Sequence, residues 1–520
     1  MFREGNEVMS YASGKIVRAA GILLAMNLLS RILGYVRDAV IAGHFGTSGA
    51  TDAYMVAYTI PYFLQSIVGM AFVMIIVPIL TDYGVKGQKE EMWKAASVIF
   101  NWTALLLTAA ALIGIAGSEV LVKLMAPGFT GDTAVLAQEL TRIIMPSIIF
   151  MGLGMLITGI LNAQHVFGVP AFAPAAENII VILSVIFLSS SLGIHGLALG
   201  TLIGFMFFLF VQIPSLKKLN FKYFLNFDIH HPALLKAASG LIPIIFGVGV
   251  NQIYLALNRA FASFVAEGSI SAIDFAYRLI NLPLGIFAAT ISTVVFPTMS
   301  EHAASGNKWE FAKTLIRGLN LVSFIIIPSA VGLLVLSSPV VAMLFQRGAF
   351  DHRATVMTAA ALAYFTLGMY GWGANMVITR AYYALNDIKT PVTAGIISVI
   401  VNVILSYLLL PFLGHGALPL ANSISVSVQT ALLMIFITKH LPYIEFTSLG
   451  KAFAKVLAAS LIMGFAVYFI SRELDFSVYL ETAVCVGLGV VLYIFAAYIF
   501  RIEEISFIGE LVARKLKGVC

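Results

Sequence analysis

Long apolar stretches alternate with short polar segments along the whole chain. Each stretch has about 20 residues or more, the length that an α-helix needs to cross a hydrocarbon core of about 30 Å. We predict about fourteen membrane spans, with approximate ranges 16–42, 53–82, 92–116, 134–163, 171–190, 195–215, 233–264, 270–299, 309–337, 354–385, 391–411, 416–438, 451–471 and 477–500. The pattern therefore predicts an all-α polytopic membrane protein.

The first six predicted spans are echoed by the next six. TDAYMVAYTIP around Asp52 resembles IDFAYRLINLP around Asp274, and ITGILNAQHVFGVP resembles ITRAYYALNDIKTP, each pair being offset by roughly 220 residues. Six spans return the chain to the same side of the membrane, so we expect two parallel halves that rock to give alternating access. Duplicated halves also occur in channels and enzymes. We predict an N-terminal lobe at 1–222, a C-terminal lobe at 223–440, and two extra helices with a cytoplasmic tail at 441–520.

Composition and charge agree with a membrane protein. The chain is 60% hydrophobic and 11% charged, which is too few charges for a soluble protein of this length. The net charge of +6 does not indicate nucleic-acid binding, because the basic residues cluster in short loops on one side of the spans. By the positive-inside rule, both termini are expected in the cytoplasm. The two cysteines, Cys485 and Cys520, have no metal-ligand spacing.

Three arginines lie inside predicted spans: Arg31 and Arg37 in the first, and Arg278 near the middle of the eighth. A centrally placed arginine costs about 2.5–3.5 kcal/mol on insertion scales, so such residues usually face a wet cavity. The planar guanidinium grips phosphate oxygens in two places, which indicates an anionic cargo. Asp38 shares a helix face with Arg31 and is expected to hold an arginine in place. Alternatively, Arg37 and Asp38 form an interfacial ion pair, and Arg278 forms a structural pair with Asp274.

Other charged residues admit two interpretations each. Asp52, near the start of span two, either belongs to the binding site or caps its helix. Glu177 could be a proton or cation site, although an interfacial position is the simpler interpretation. Arg259 is expected to snorkel from a span end to the interface. The sequence has no Walker loop, HExxH or defensible Ser/His/Asp set, so we expect no enzyme and no cofactor, and an ion gradient or the membrane potential as the energy source.

Three segments resemble the MurJ (MviN) family: SRILGYVRDAVIAGHFGTSGATDAY, GILNAQHVFGVPAFAP and NDIKTPV. Members are lipid II flippases of the multidrug/oligosaccharidyl-lipid/polysaccharide exporter superfamily. The resemblance implies that the chain moves undecaprenyl-pyrophosphate-linked peptidoglycan precursor from the inner to the outer leaflet of the bacterial inner membrane. It also implies two six-helix lobes, a V-shaped central cavity, and two extra C-terminal helices that form a groove for the lipid tail.

The resemblance also implies a binding site. The family's cavity arginines correspond to Arg31, Arg37 and Arg278, and its aspartates to Asp38 and Asp52. The family pattern usually has an arginine in span two, where this chain has Gln65 and Ser66. We predict that the substrate site contains all of these positions: Arg31, Arg37, Asp38, Asp52, Gln65, Ser66 and Arg278.

The alternatives follow from the same residues. The missing arginine leaves open a flippase for another polyprenyl-linked glycan. A drug or cation antiporter would need an acidic cavity, and a lipid-linked glycan polymerase would need a catalytic acid or base. We see no buried acidic cluster that would make a sodium site. The expected partners are lipid II and membrane lipids, with no nucleic acid, and the chain is expected to act as a monomer.

Overall fold

The computed structural model describes residues 2–441, 444–474 and 476–505, with only the backbone described in parts of the first, second and tenth helices. The chain divides into two compact units, Met1–Gly268 and Ser269–Cys520. The described part of the chain is helical throughout both units and contains no strand. The expected all-α polytopic membrane architecture is confirmed.

The first unit contains ten α-helices in its described part. They are α1 (Phe2–Phe45), α2 (Gly49–Val85), α3 (Lys89–Ala116), α4 (Ser118–Met125), α5 (Gly131–Ile144), α6 (Ser147–Ala163), α7 (Gly168–Leu192), α8 (Ile194–Phe210), α9 (Ile213–Lys218) and α10 (Pro232–Ala262).

The second unit contains ten more α-helices in its described part. They are α11 (Ser269–Pro283), α12 (Ala289–Ala304), α13 (Lys308–Val335), α14 (Ser337–Phe345), α15 (His352–Thr366), α16 (Met369–Ala384), α17 (Lys389–Leu413), α18 (Ala417–Ile437), α19 (Phe446–Glu473) and α20 (Val478–Ile499). A π-helical segment, Leu284–Ala288, joins α11 to α12, and a 3₁₀ turn, Gly414–Gly416, joins α17 to α18.

The helices show the same repeat as the sequence. The pair α5–α6 bends by 41° at its break, and the corresponding pair α15–α16 bends by 46°. Both α7 and α17 have 25 residues and end at a glycine with positive φ, 55° at Gly193 and 52° at Gly414. Only glycine adopts this backbone conformation without strain, so both copies make the same tight turn.

The span count is lower than fourteen when only described residues are considered. Eight helical stretches in the described ranges are long and apolar enough to cross a bilayer, or up to ten if each bent pair is one span. One of the eight, 389–437, contains α17 and α18, which pack along each other as a hairpin. The full count of fourteen and the sidedness of the termini stay predictions.

The compact units and the predicted lobes have different boundaries. The helix α10 follows the predicted lobe boundary at 222, yet it groups with the first unit, where it packs against α2 and α3. The lobes at 1–222 and 223–440 follow the sequence repeat and stay predictions.

Close helix packing in the first unit positions the candidate site. The helix α7 packs against both α1 and α8. An added Cβ at Gly200 on α8 would lie 2.2 Å from the Ser184 Cβ on α7, so the helices approach too closely for any side chain there. Small residues at such crossings let membrane helices associate without a hydrophobic driving force.

Candidate functional site

The second half of α1 carries an arginine and an aspartate that interact directly. Arg37 donates from both Nε and Nη2 to Asp38 Oδ1, each at 3.1 Å. Only 14% of the Arg37 side chain and 5% of the Asp38 side chain is exposed. The pair is thus buried within the protein, and the alternative that it lies at the membrane interface stays a prediction.

A second carboxylate approaches the same arginine from α7. The Glu177 Oε1 atom lies 3.9 Å from Arg37 Nη1, and the Glu177 side chain is only 9% exposed. Glu177 is therefore buried in the seam between α1 and α7, and its expected position at the membrane interface stays a prediction. This contact could not be predicted from the sequence, since the two residues are 140 positions apart.

The adjacent residue on α7 also contacts α1. Asn178 Nδ2 donates to the Ser30 carbonyl oxygen at 3.3 Å, and it lies 3.8 Å from the position of a Cβ on Gly34. Asn178 is 6% exposed, and its Oδ1 atom has no hydrogen-bond partner among the described atoms. The seam therefore holds one arginine, two carboxylates and an amide oxygen without a donor.

A ladder of tyrosines on α2 was missed by the sequence analysis. Tyr54, Tyr58 and Tyr62 are stacked, with ring centroids 6.0 Å apart at each step. Tyr58 also stacks on Phe205 of α8, and the hydroxyl of Tyr54 is 2.9 Å from that of Thr201. The spacing of four residues is the signal that could have found this ladder, because it places side chains on one helix face.

Arg31 lies on α1 six residues before Arg37, about 9 Å earlier along the helix axis. Unlike Arg37, Arg31 is exposed, and among the described residues it forms no ion pair. Its guanidinium is therefore not covered by other parts of the protein.

Asp52 is a buried tether rather than a helix cap. Ser48 caps α2 by accepting from the Thr51 N–H at 3.3 Å. Asp52 is 3% exposed, and its Oδ2 accepts from the Gly268 N–H at 2.7 Å. The capping interpretation of Asp52 is wrong, and the residue instead fixes the loop after α10 to the start of α2.

Arg259 also makes a contact that the sequence interpretation did not include. It was expected to snorkel to the membrane interface, but its Nη1 atom donates to the Met55 carbonyl oxygen at 3.1 Å. The interaction joins α10 to α2 in the first unit.

In the second unit, Arg278 and Asp274 lie one turn apart on α11, and both are partly buried. The neighbouring Tyr277 packs on Phe365, with 5.6 Å between ring centroids. The π-helical segment begins directly after Pro283, which lacks the N–H that a regular helix needs. Such π-helical insertions are frequent at functional sites. Gln65 and Ser66, also predicted as site residues, have side chains that lie outside the described residues.

The second unit also contains an apolar groove of about 470 Å³. It lies among α11, α13, α14, α19 and α20, and the lining includes Pro328, Gly332, Met463, Val467, Cys485 and Gly489. Tyr493 also lines it, but its hydroxyl donates to the Phe324 carbonyl oxygen at 2.7 Å, so that polar group is satisfied. The volume falls in the range of small-molecule pockets, and the lining suits a hydrocarbon.

Comparison with known proteins agrees with this arrangement. A family model described as lipid II flippase MurJ matches residues 41–486. A lipid II flippase MurJ of Burkholderia cenocepacia is 30% identical over 476 residues, covering 89% of this chain and 91% of the relative. The lipid II flippase MurJ of Thermosipho africanus is 32% identical over 443 residues, covering 85% and 88%.

Solved structures give the same family and the wider fold. A structure of lipid II flippase MurJ in an inward closed conformation matches with a TM-score of 0.79 and 29% identity, covering 93% of this chain and 99% of the other. An inward-facing multidrug resistance MATE transporter of the MOP superfamily matches with a TM-score of 0.65 at 15% identity, which shows a shared fold. Since the family model covers most of its length, this chain belongs to the MurJ family of lipid II flippases.

Proposed function

We propose that this chain moves lipid II from the inner to the outer leaflet of the bacterial inner membrane. The observation that carries the proposal is the match to the lipid II flippase family over residues 41–486. The polar cluster in the first unit and the apolar groove in the second support it independently. Lipid II is an amphiphile whose charged headgroup and polyprenyl tail need two such different environments.

The pyrophosphate is bound by arginines in this proposal. Arg31 offers an exposed guanidinium, and Arg37 is fixed in orientation because its Nε and Nη2 both donate to Asp38 Oδ1. Arg278 contributes from the second unit. A guanidinium pairs with phosphate oxygens in a planar, two-point geometry, and it stays charged when it is partly desolvated.

The polyprenyl tail occupies the apolar groove in this proposal. Two helices beyond the repeat, α19 and α20, build one wall of the groove, while α13 and α14 build the other. Burial of each methylene group contributes about 0.8 kcal/mol, so a partly accommodated tail would add substantial affinity. The headgroup would then cross through a hydrated passage while the tail stays among apolar side chains and lipid.

The transport cycle is alternating access, with the two repeats as the moving parts. The repeated architecture, in which α5–α6 and α15–α16 bend similarly, supports it because transporters built from two structural repeats commonly rock one repeat against the other. We further propose that the protein acts as a monomer with both termini in the cytoplasm and uses no cofactor. An ion gradient or the membrane potential supplies the energy.

A second candidate is a flippase for another polyprenyl-linked glycan. The observation that favours it is the Gln65–Ser66 sequence at the position where the family pattern usually has an arginine. Both candidates share the pyrophosphate and the polyprenyl tail, and they differ in the sugars and in the stem peptide that the passage must admit.

A leaflet-accessibility assay tests the proposal. Lipid II is labelled in a strain depleted of its own flippase, and an externally added enzyme that cleaves lipid II reports how much has reached the outer leaflet. Expression of this chain should restore cleavage. If lipid II stays protected although the chain is inserted and folded, the proposed substrate is wrong. A parallel assay with a different polyprenyl-linked glycan then separates the second candidate from the first.

A further inference from the structure

Glu177 is a buried carboxylate that the proposed pyrophosphate site does not use. Its only charged neighbour among the described residues within ion-pair distance is Arg37, at 3.9 Å. Arg37 has already directed Nε and Nη2 to Asp38 at 3.1 Å. Glu177 therefore approaches only Arg37 Nη1, which does not donate to Asp38, and it does so at a long distance. Among the described residues, the Glu177 carboxylate accepts no hydrogen bond.

Burial makes this arrangement costly for an ionised Glu177. A buried carboxylate is stable only with close partners that replace its hydration. The groups that face Glu177 are Arg37 and Asp38 from α1 and Tyr58 from α2, which interacts electrostatically with it. On α8, Gly204 packs against Glu177, with a Cβ position 3.3 Å from Glu177 Cγ, and it has no side chain that could donate a hydrogen bond.

The orphaned Asn178 oxygen points to the same deficit of positive charge or hydrogen-bond donors. Asn178 is only 6% exposed. Its Oδ1 atom lies in the α1–α7 seam and accepts no hydrogen bond from the described atoms. Leaving the Asn178 oxygen without a donor costs about 1–3 kcal/mol. A proton bound in the seam, or another hydrogen-bond donor placed near this oxygen, would therefore be stabilising. Two acceptors in one seam, on adjacent residues, both lack a donor.

We infer that Glu177 is a proton-binding site whose occupancy sets how strongly Arg37 attracts an anion. With Glu177 ionised, Arg37 is held between two carboxylates and much of its field is cancelled. When Glu177 binds a proton, Arg37 keeps one carboxylate partner, and a phosphate oxygen can take the vacated side. By thermodynamic linkage, binding of the pyrophosphate and binding of the proton each strengthen the other.

This inference rests on the proposed function for its cargo but not for its proton site. Substrate affinity should rise as the pH falls, because protonated Glu177 frees Arg37. The diester pyrophosphate of lipid II does not titrate in the mildly acidic to mildly alkaline range, so the protein is the source of any change. The coupling should be at least about fivefold in affinity, the low end of measured site-to-site couplings.

The first experiment measures lipid II binding to the full chain in nanodiscs across this pH range. The wild type should bind at least about fivefold more tightly in acid. Glu177→Gln should bind with the wild type's acid-limit affinity at every pH. Glu139→Gln, at an exposed glutamate on α5 that pairs with His195, is the matched control and should keep the wild-type profile. A pH-independent wild type, or a Glu177→Gln variant with the wild-type profile, overturns the inference.

The second experiment needs no substrate, and so separates the proton site from the proposed function. Infrared difference spectra between acidic and alkaline buffer should contain a protonated-carboxyl band in the wild type and the Glu139→Gln control. The contribution of Glu177 to this band should be missing in Glu177→Gln, so the band should be weaker there than in the control. If the band is equally strong in Glu177→Gln, or if sodium removes the same contribution in the wild type, Glu177 is not a proton site. If no variant binds lipid II while the band behaves as expected, the proposed function fails and the proton site stands.

Discussion

The polar cluster of the first unit buries charged side chains, whereas the apolar groove of the second unit is lined by hydrocarbon side chains. In the cluster, Arg37 is flanked by Asp38 and Glu177, and the three side chains are between 5% and 14% exposed. In the groove, the lining between α13 and α20 is almost wholly hydrocarbon, and its tyrosine hydroxyl is hydrogen-bonded. Charge is kept in the membrane only where it can meet a counter-charge. The contrast teaches that headgroup and tail recognition are separable functions, each removable by its own substitutions.

Removal of Arg37 should have the largest effect on the headgroup side. We expect Arg37→Ala to reduce lipid II transport at least about a hundredfold. The variant loses the two-point contact of the guanidinium with the pyrophosphate, and each charged hydrogen bond is worth about 1.5–3 kcal/mol. Arg37→Lys should recover only part of the activity, since lysine keeps the charge but not the fork. Transport is measured by the leaflet-accessibility assay, with Arg347→Ala, at an exposed arginine, as control.

Loss of Arg37 also leaves Asp38 and Glu177 without their shared cation. Breaking a buried pair by removing one partner costs about 3–5 kcal/mol, so folding must be checked separately. The double variant Arg37→Ala/Glu177→Gln should regain much of the thermal stability but none of the transport. Recovery of transport in the double variant would show that Arg37 only neutralises Glu177.

Arg278 should have a smaller but still large effect. We expect Arg278→Ala to reduce transport about tenfold to a hundredfold, the value of one charged contact. Asp274→Asn is the informative companion, since Asp274 lies one turn earlier on α11. If the pair is purely structural, the two single variants should lose stability and activity equally, and the double variant should recover both. We expect instead that Arg278→Ala loses transport whether or not Asp274 is changed.

Filling the groove should impair tail recognition without touching the headgroup site. An added Cβ at Gly489 would lie 3.4 Å from Val467, so Gly489→Leu would extend into the groove. We expect about tenfold weaker binding of lipid II, equivalent to about two displaced methylene groups. A short-chain analogue should be unaffected. Gly487→Leu, on the same helix but facing open space, is the matched control.

The smallest effect on transport is expected from a change at Asp387, which interacts with His440 in the second unit. Asp387 Oδ2 lies 3.1 Å from His440 Nε2, and Thr390 donates to the same carboxylate. Burial of Asp387 opposes ionisation, but the hydrogen bonds from Thr390 and His440 outweigh it, so the pKa of Asp387 is lowered. A lowered carboxyl pKa stabilises the fold above the unfolded pKa, and this stability disappears as the pH falls through the folded value.

Asp387→Asn should therefore lower the unfolding free energy by about 1 kcal/mol at neutral pH and by less in acid. Thermal unfolding of the wild type and the variant across the pH range measures the difference. A difference that grows as the pH falls would contradict the assigned sign. Transport should be nearly unchanged, in contrast to the arginine and groove variants.

Much of the helical architecture was predictable because membrane spans are determined by local hydropathy. The Arg37–Asp38 pair was also predictable, since the two residues are adjacent in sequence. The break between α5 and α6 was not predicted, although Pro146 lies at that break and signals one. Apolar composition continues through the break, and hydropathy alone does not detect a change of helix direction.

The partners of the site residues could not be predicted, because they come from distant helices. Glu177 contacts Arg37 across the α1–α7 seam, and Asp52 contacts Gly268 more than 200 residues away. A single sequence carries no record of such pairings. The groove was expected from family resemblance, but its lining depends on how α13, α14, α19 and α20 pack.

The most direct measurement reconstitutes the purified chain with labelled lipid II in liposomes that contain no other protein. The wild type should carry lipid II to the opposite leaflet, and a variant with Arg31, Arg37 and Arg278 all changed to alanine should not. That variant should still bind a polyprenyl chain in its groove, which would show that it is folded. If the arginine-free variant moves lipid II at the wild-type rate, the proposed role of these three residues in binding the pyrophosphate is wrong.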